Sequence, residues 1–381
     1  MRQVRRNVLR RSGAAALAAA VTALAVAGAF GGAGTASADG RGGAVYTLSN
    51  QIGGNSVLVF DRQADGSLTA AGSVDTGGVG TGGGLGSQGA VILTEDNHRL
   101  IAVNAGSNDL SVFDVRDGGL TLVDRASSGG IRPVSITVHD NVLYALNAGG
   151  SGSIAGFRIR GDGELAPIAG SIQPLTSASA GPAQIQFTPD GEQLIVTEKA
   201  TNAIVTYEVE DGVASGPVSH ASNGATPFGF GFGRRNTLIV SEAFGGAPDA
   251  SAVSSYRVSE EGDVASVTAS AATHQTAACW IVVTKNGRFA YTTNAGSGSI
   301  SGYRVARDGS LTLLDADGRT GDTGAGSTPV DMALSRDSHF LFALGAGSHA
   351  ITGFRVGADG SLVPAGSVNG LPAGTVGLAA R

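Results

Sequence analysis

From residue 44 to the C-terminus the chain runs in short stretches of alternating apolar and polar residues, each ended by a cluster of Gly, Asn or Asp. Period-two alternation over so few residues marks a β-strand with one buried face, and the interruptions supply turn residues. No stretch in this region has the three-to-four-residue apolar spacing of a helix, so the pattern predicts an all-β fold.

Self-comparison exposes a repeat. SVLVFD is followed by LSVFDV, IAGFRI, IVTYEV, VSSYRV, ISGYRV and ITGFRV, with an aromatic at the same place each time: Phe60, Phe113, Phe157, Tyr207, Tyr256, Tyr303 and Phe354. Each segment runs into a turn that is usually Asp-Gly (ADGSL at 64–68, RDGSL at 307–311), a hairpin signal because glycine accepts the positive φ of a tight turn. A second hairpin precedes each aromatic, as in AQIQFTPDGEQLIVTE (183–198) and CWIVVTKNGRFAYTTN (279–294). Each repeat therefore holds four strands, the size of a propeller blade, with the aromatics as wedges between blades. The first repeat starts at Ala44 without a first strand, and the chain ends in TVGLAAR (375–381), a strand without a hairpin. The expectation is a seven-bladed β-propeller of four-stranded blades over 39–381, its first blade closed by the C-terminal strand. Rings of six or eight blades and an open β-solenoid are the alternatives.

Residues 1–38 read as a signal peptide. Arg2, Arg5, Arg6, Arg10 and Arg11 lead into an apolar, alanine-rich run that ends in Ala36-Ser37-Ala38, an A-x-A cleavage pattern. RRNVLR at 5–10 resembles the twin-arginine consensus, with an ordinary secretory signal as the alternative. Export places the protein outside the cell or at the cell envelope, with no membrane span once the signal is cleaved. The whole chain carries a formal charge of −6, and removing five arginines makes the remainder more acidic, which argues against nucleic acid as a partner. A single cysteine, Cys279, rules out an internal disulfide, so the core must carry stability. The protein is expected to be a monomer.

In a four-stranded blade the ends of the second strands and the starts of the first strands meet on one face of the central channel. The second-strand ends include Asn104, Asn147, Glu198, Glu242 and Asn294; the first-strand starts include Gln184, Trp280 and Asp331. Asparagine there also reads as a turn cap, whereas glutamate is not a favoured turn residue, so Glu198 and Glu242 are the candidate catalytic carboxylates. Trp280 is either packing between blades or a platform for a flat ligand. Cys279 reads as a small buried hydrophobe. His98, His139 and His339 fall in turns of the opposite face, and the sequence holds no HExxH, GxSxG, P-loop or Cys/His zinc spacing.

The repeat form, a hydrophobic run around Pro-Asp-Gly followed by N-x-G-S-x-S-x-[FY], resembles the lactonase family of seven-bladed propellers, which includes 6-phosphogluconolactonase-type hydrolases and carboxymuconate lactonizing enzymes. The likeness is clearest in 181–207 and 280–305. It implies a lactone hydrolase or a lactone-forming cycloisomerase. Where the family has G-P-R-H-[IV] this chain has GPAQI, so Ala183 and Gln184 replace Arg and His; Ala295 replaces a further arginine, and Glu198 matches a family glutamate. Arg132 and Lys199 are the nearest cations that could serve an anionic substrate.

Three functions follow. One is hydrolysis of an uncharged or sugar-derived lactone, with Glu198 or Glu242 as general base, Gln184 and Asn294 as hydrogen-bond donors, Trp280 under the ring, and Asp331, Asn147, Asn104, Arg132 and Lys199 lining the site. This needs no cofactor. The second is a metal-assisted version in which Glu198, Glu242, Asp331 and Asn294 hold Ca²⁺ or Mg²⁺. The third is a non-catalytic propeller that binds a glycan or partner protein.

Overall fold

The structure, a computed structural model, describes residues 42–117 and 119–381. The expected signal peptide at 1–38 lies outside these residues. Among them no helix is long and apolar enough to cross a membrane.

Seven antiparallel sheets stand around a central axis, each built on the four-strand path the sequence predicts. Blade one comprises 43–75 with 376–380, and blades two to seven comprise 91–127, 133–174, 182–221, 227–272, 278–322 and 329–369. Blade one is closed as expected: Val376–Ala380 pairs antiparallel with Gly43–Leu48, and the Thr47 hydroxyl donates to the Val376 carbonyl at 3.1 Å. In blades three and six the outermost strand is interrupted, with Leu165–Pro167 followed by Gln173–Pro174 and Leu311–Leu313 followed by Gly321–Asp322. The innermost strands of all seven blades lie against those of their neighbours and close the ring.

The repeated aromatics are wedges: Phe60, Phe113, Tyr207 and Tyr303 are fully buried, and Phe157, Tyr256 and Phe354 nearly so. Burying one such ring contributes about 2–3 kcal/mol. The tyrosines add a polar tip that ties a blade to the one before it. Tyr207 donates to the Pro174 carbonyl and Tyr303 to the Ala271 carbonyl, both at 2.9 Å. The Asp-Gly turns behave as their chemistry requires. Gly66 has φ +92°, and a Cβ there would run into the Phe340 ring of blade seven.

Candidate functional site

The second strands end in polar side chains that bind the loops around them. Glu198 is fully buried; its carboxylate accepts from the Thr176 amide at 3.0 Å, from the Thr176 hydroxyl, and from the Thr201 hydroxyl at 2.7 Å. Glu242, also fully buried, accepts from the Gly224 amide at 2.8 Å, the Ser270 hydroxyl at 2.7 Å and the Ser254 hydroxyl. Asn104 donates to Asp109 and Ser111 while accepting from Asn55 and Thr76. Asn147 exchanges hydrogen bonds with both the hydroxyl and the carbonyl of Ser128. Asn294 donates to Ser299 and Ser301, and its buried Oδ1 has no partner among the described residues. A buried carboxylate needs donors; Glu198 finds them on the loops at Thr176 and Thr201, and Glu242 finds them on the loop at Gly224 and on Ser254 and Ser270 of the outer strands of its own blade. The two expected catalytic carboxylates are thus saturated staples in adjacent blades.

The inner strands show a second device. Gln184 accepts from the Phe230 amide at 2.7 Å and donates to the Phe230 carbonyl at 3.0 Å, so one side chain clasps the main chain of the next blade. Residue 229 holds the corresponding place one blade on, and it is glycine. There Gln88 substitutes, accepting from the Ile281 amide at 2.9 Å and donating to the Ile281 carbonyl at 2.6 Å. Gln88 comes from the glycine-rich segment 76–89 that connects blade one to blade two, so this segment crosses the channel mouth to blade six. Its own amide reaches the Ala183 carbonyl of blade four at 3.0 Å. Segment 76–89 is therefore a plug. Nothing in the repeat announced it; the excess of glycine over that stretch was the one signal available.

Asp331, in the inner strand of blade seven, is 1% exposed. Its Oδ1 accepts from the Met332 amide at 2.8 Å, and its Oδ2 has no side-chain or close hydrogen-bond partner among the described residues. Burial pushes its carboxyl well above the usual range, against the pull of the Met332 and Leu378 amides. Glu198, Glu242, Asp331 and Asn294 belong to four different blades, and no three His, Cys, Asp or Glu side chains gather at metal-binding spacing among the described residues. The four-ligand metal set expected from the sequence is not brought together.

Beneath the plug lies a small aromatic and cationic cluster. Phe228 and Trp280 pack with ring centroids 4.8 Å apart, in a group with Ala183, Ala243 and Cys279. Trp280 Nε1 donates to the Ser87 carbonyl of the plug at 2.8 Å. The Lys199 ammonium lies 4.7 Å over the Phe228 ring and donates to the Gly86 carbonyl at 2.6 Å and the Pro182 carbonyl at 3.0 Å. Burial lowers the Lys199 pKa to about 8. Burial pushes the Cys279 thiol up to about 12, which leaves it an inert packing group at neutral pH. Arg132 is exposed in a left-handed conformation (φ 56°), its amide held by Asn108. Of the expected site residues, the fold thus gathers Lys199 and Trp280 in one cluster with Phe228, which the sequence did not single out.

The family model described as "Lactonase, 7-bladed beta-propeller" matches residues 42–174 and 250–375, more than half of the chain. Comparison with curated protein sequences gives no match. Among solved structures, the chain is similar to a candidate 6-phosphogluconolactonase of Bacteroides fragilis, at 17% identity and TM-score 0.68 over 90% of this chain and 98% of that one. It is similar to the periplasmic gluconolactonase of Pseudomonas aeruginosa, at 17% identity and TM-score 0.67 over 87% and 98%. A Lactobacillus plantarum protein aligns at 15% identity and TM-score 0.70 over 89% and 99%. At these identities the structural likeness speaks for the fold.

Proposed function

The chain belongs to the lactonase family of seven-bladed β-propellers, and from that membership we propose that it is an exported hydrolase that opens a small uncharged lactone at the plugged mouth of its channel. The observation that carries the reading is Lys199. It is the titratable group of the mouth cluster whose charge is poised near neutrality, its pKa lowered to about 8 by burial, and it sits against the Phe228–Trp280 aromatic pair. A general base works best when its pKa lies near the working pH.

In this reading the plug carbonyls occupy the donors that a substrate would use. Displacing Gly86 frees Lys199 Nζ, and displacing Ser87 frees Trp280 Nε1–H for the lactone carbonyl. The neutral Lys199 amine takes a proton from a water as that water adds to the acyl carbon, while Trp280 Nε1–H stabilises the oxyanion. Collapse breaks the acyl–oxygen bond of the ring. The Lys199 ammonium returns its proton to the departing ring oxygen, leaving a hydroxy acid. Glu198 and Glu242 position the surrounding loops, Arg132 stands at the rim, and the aromatic pair carries the ring. Gln184, Asp331, Asn294, Asn147 and Asn104 hold the frame. The arginines of the family pattern are replaced at Ala183 and Ala295, which favours a lactone without a phosphate or extra carboxylate. The N-terminal pattern of residues 1–38 supports action outside the cytoplasm.

The test is base consumption on a panel of five- and six-membered lactones. Wild type should turn over at least one, with a rate that rises with pH and levels off near the Lys199 pKa. Lys199→Met should lose about 10²-fold or more, and Lys199→Arg should not restore the rate. A full rate in Lys199→Met would exclude this mechanism. The second reading, a binding propeller without turnover, is favoured by the plug itself, which already saturates Lys199 and Trp280; binding of a lactone or glycan with no hydrolysis would establish it.

A further inference from the structure

The other mouth of the channel, on the face of the turns between first and second strands, opens into a cavity of about 1160 Å³, well above three other clefts of about 280, 490 and 350 Å³. Its position follows from how the ring closes. In blades two to seven the first and second strands are joined by a hairpin that roofs this face; blade one is assembled from Gly43–Leu48 and Val376–Ala380, so no hairpin joins them. Blades one, two, six and seven line the resulting space.

We propose that this cavity binds a small polyvalent oxyanion, a phosphate ester or a polycarboxylate, at a site separate from the plugged mouth. Besides Arg381, the last residue, five cationic side chains line it against four aspartates, in a chain whose overall charge is negative. The aspartates are also unequally available. Asp114 is shared by two guanidiniums, those of Arg99 and, at 2.6 Å, Arg116, so one negative charge meets two positive ones. Asp96 is turned into its own turn, accepting from the Thr94 hydroxyl at 2.6 Å and the His98 amide at 2.9 Å. Asp337 does the same with Ser335 at 2.6 Å and the His339 amide at 3.0 Å. Asp117 is left at the rim.

The cations, by contrast, include groups that no described carboxylate pairs. Arg62, Lys285 and Arg336 form no ion pair with a described residue. Arg62 is the strongest pointer: its guanidinium is laid on the Phe340 ring at 5.1 Å, and its buried Nε has no hydrogen-bond partner among the described residues. A stacked guanidinium that keeps an unused donor is pre-organised for an oxyanion, which the guanidinium group can hold through parallel hydrogen bonds. Lys285 and Arg336 add point charges from two further blades, the arrangement that suits an anion with charges on more than one group. The size of the cavity admits such a ligand whole.

The experiment is titration calorimetry on the full protein with pyrophosphate, citrate and acetate, independent of any lactone activity. Pyrophosphate or citrate should bind and acetate should not, with affinity falling as salt rises. The exposed pair Lys285→Ala/Arg336→Ala should weaken binding about tenfold or more without changing the melting temperature of the unliganded protein. Arg319→Ala, whose charge is paired with Asp322 elsewhere on the surface, should bind as wild type does. A preference for pyrophosphate assigns a phosphate ester, and one for citrate a polycarboxylate. Absence of binding by both polyanions, or equal binding by wild type and the double variant, would overturn the proposal.

Discussion

Gln88 and Ile281 are 193 residues apart in sequence, yet the side chain of the first holds both main-chain polar groups of the second, at 2.6 and 2.9 Å. The contact exists because residue 229 has no side chain. A Cβ on Gly229 would collide with Gln88 Oε1 and lie 2.7 Å from the Cys279 carbonyl. Removing Gln88 strands a buried amide and carbonyl, so Gln88→Ala should destabilise by about 1–3 kcal/mol. Gly229→Ala should cost at least as much, because it adds a clash to the same loss. Urea unfolding of both variants measures this. Wild-type stability in either would show that the plug does not hold the inner ring together.

Lys199 gives a pH dependence of stability. Its folded pKa, about 8, lies below the ordinary 10.5. Between these values the unfolded chain binds more protons than the folded one, so this group makes stability rise with pH through that window. Below about pH 8 both states are protonated and the folded state bears the full penalty of burying the charge. Lys199→Met removes the titration. The variant should be more stable than wild type at pH 7, with the difference shrinking as pH approaches 10. A difference independent of pH would show that the ammonium is well solvated.

Glu198 separates staple from base. The carboxylate accepts three hydrogen bonds, from Thr176 N–H, Thr176 O–H and Thr201 O–H. Glutamine keeps one acceptor oxygen and turns an NH₂ toward a donor. Glu198→Gln should therefore lose about 1–3 kcal/mol of stability, while lactone hydrolysis, measured well below the melting temperature, falls less than about tenfold. A general base removed outright costs about 10²–10⁴-fold. A loss of that size in a folded variant would transfer the base role from Lys199 to Glu198.

The architecture was readable because it is periodic. Seven aromatics at one register position, each followed by a turn, pointed to seven blades over the alternatives of six or eight, and seven sheets stand around the axis. The unpaired strand at each end fixed the closure, which Val376 and Leu48 make in the sheet. The site was less readable because its contacts break the repeat. That Glu198 would be claimed by Thr176 and Thr201, and Glu242 by Gly224, Ser254 and Ser270, depends on loop paths and on strand register that residue type does not encode. The plug is aperiodic, and its partners Ala183 and Ile281 are chosen by a vacancy at Gly229 in a third blade. The anion cavity is likewise a consequence of closure: a gap is invisible in a pattern of what is present.

Asp331 should show the opposite pH behaviour to Lys199. Its folded pKa is raised well above 3.8 by burial. Above pH 3.8 the folded state therefore holds the proton that the unfolded state releases, and stability falls as pH rises toward the folded value. Asp331→Asn keeps an oxygen for the Met332 amide and cannot ionise. It should melt close to wild type in acid and above it at neutral pH. A variant that is less stable at neutral pH would mean that the charge is matched by a group other than the Met332 and Leu378 amides.

Deleting residues 375–381 tests the closure itself. In a ring each blade is held by two neighbours, and opening one junction exposes two faces that have no other cover. The terminal strand serves three attachments at once: it pairs with Gly43–Leu48 inside blade one, takes the Thr47 hydroxyl on its carbonyls, and brings the Leu378 amide to the buried carboxyl of Asp331 in blade seven. Its loss should also expose Val91 and Ala90 of blade two, against which Gly377 is packed. The expected outcome is loss of the folded state for the whole domain, seen as insoluble protein or as a circular dichroism spectrum without a cooperative melt. Adding the seven-residue peptide in excess should restore part of the cooperative transition, since the strand's contacts do not depend on covalent linkage. A truncated protein that melts cooperatively at the wild-type temperature would mean that six complete blades hold the ring without the stitch.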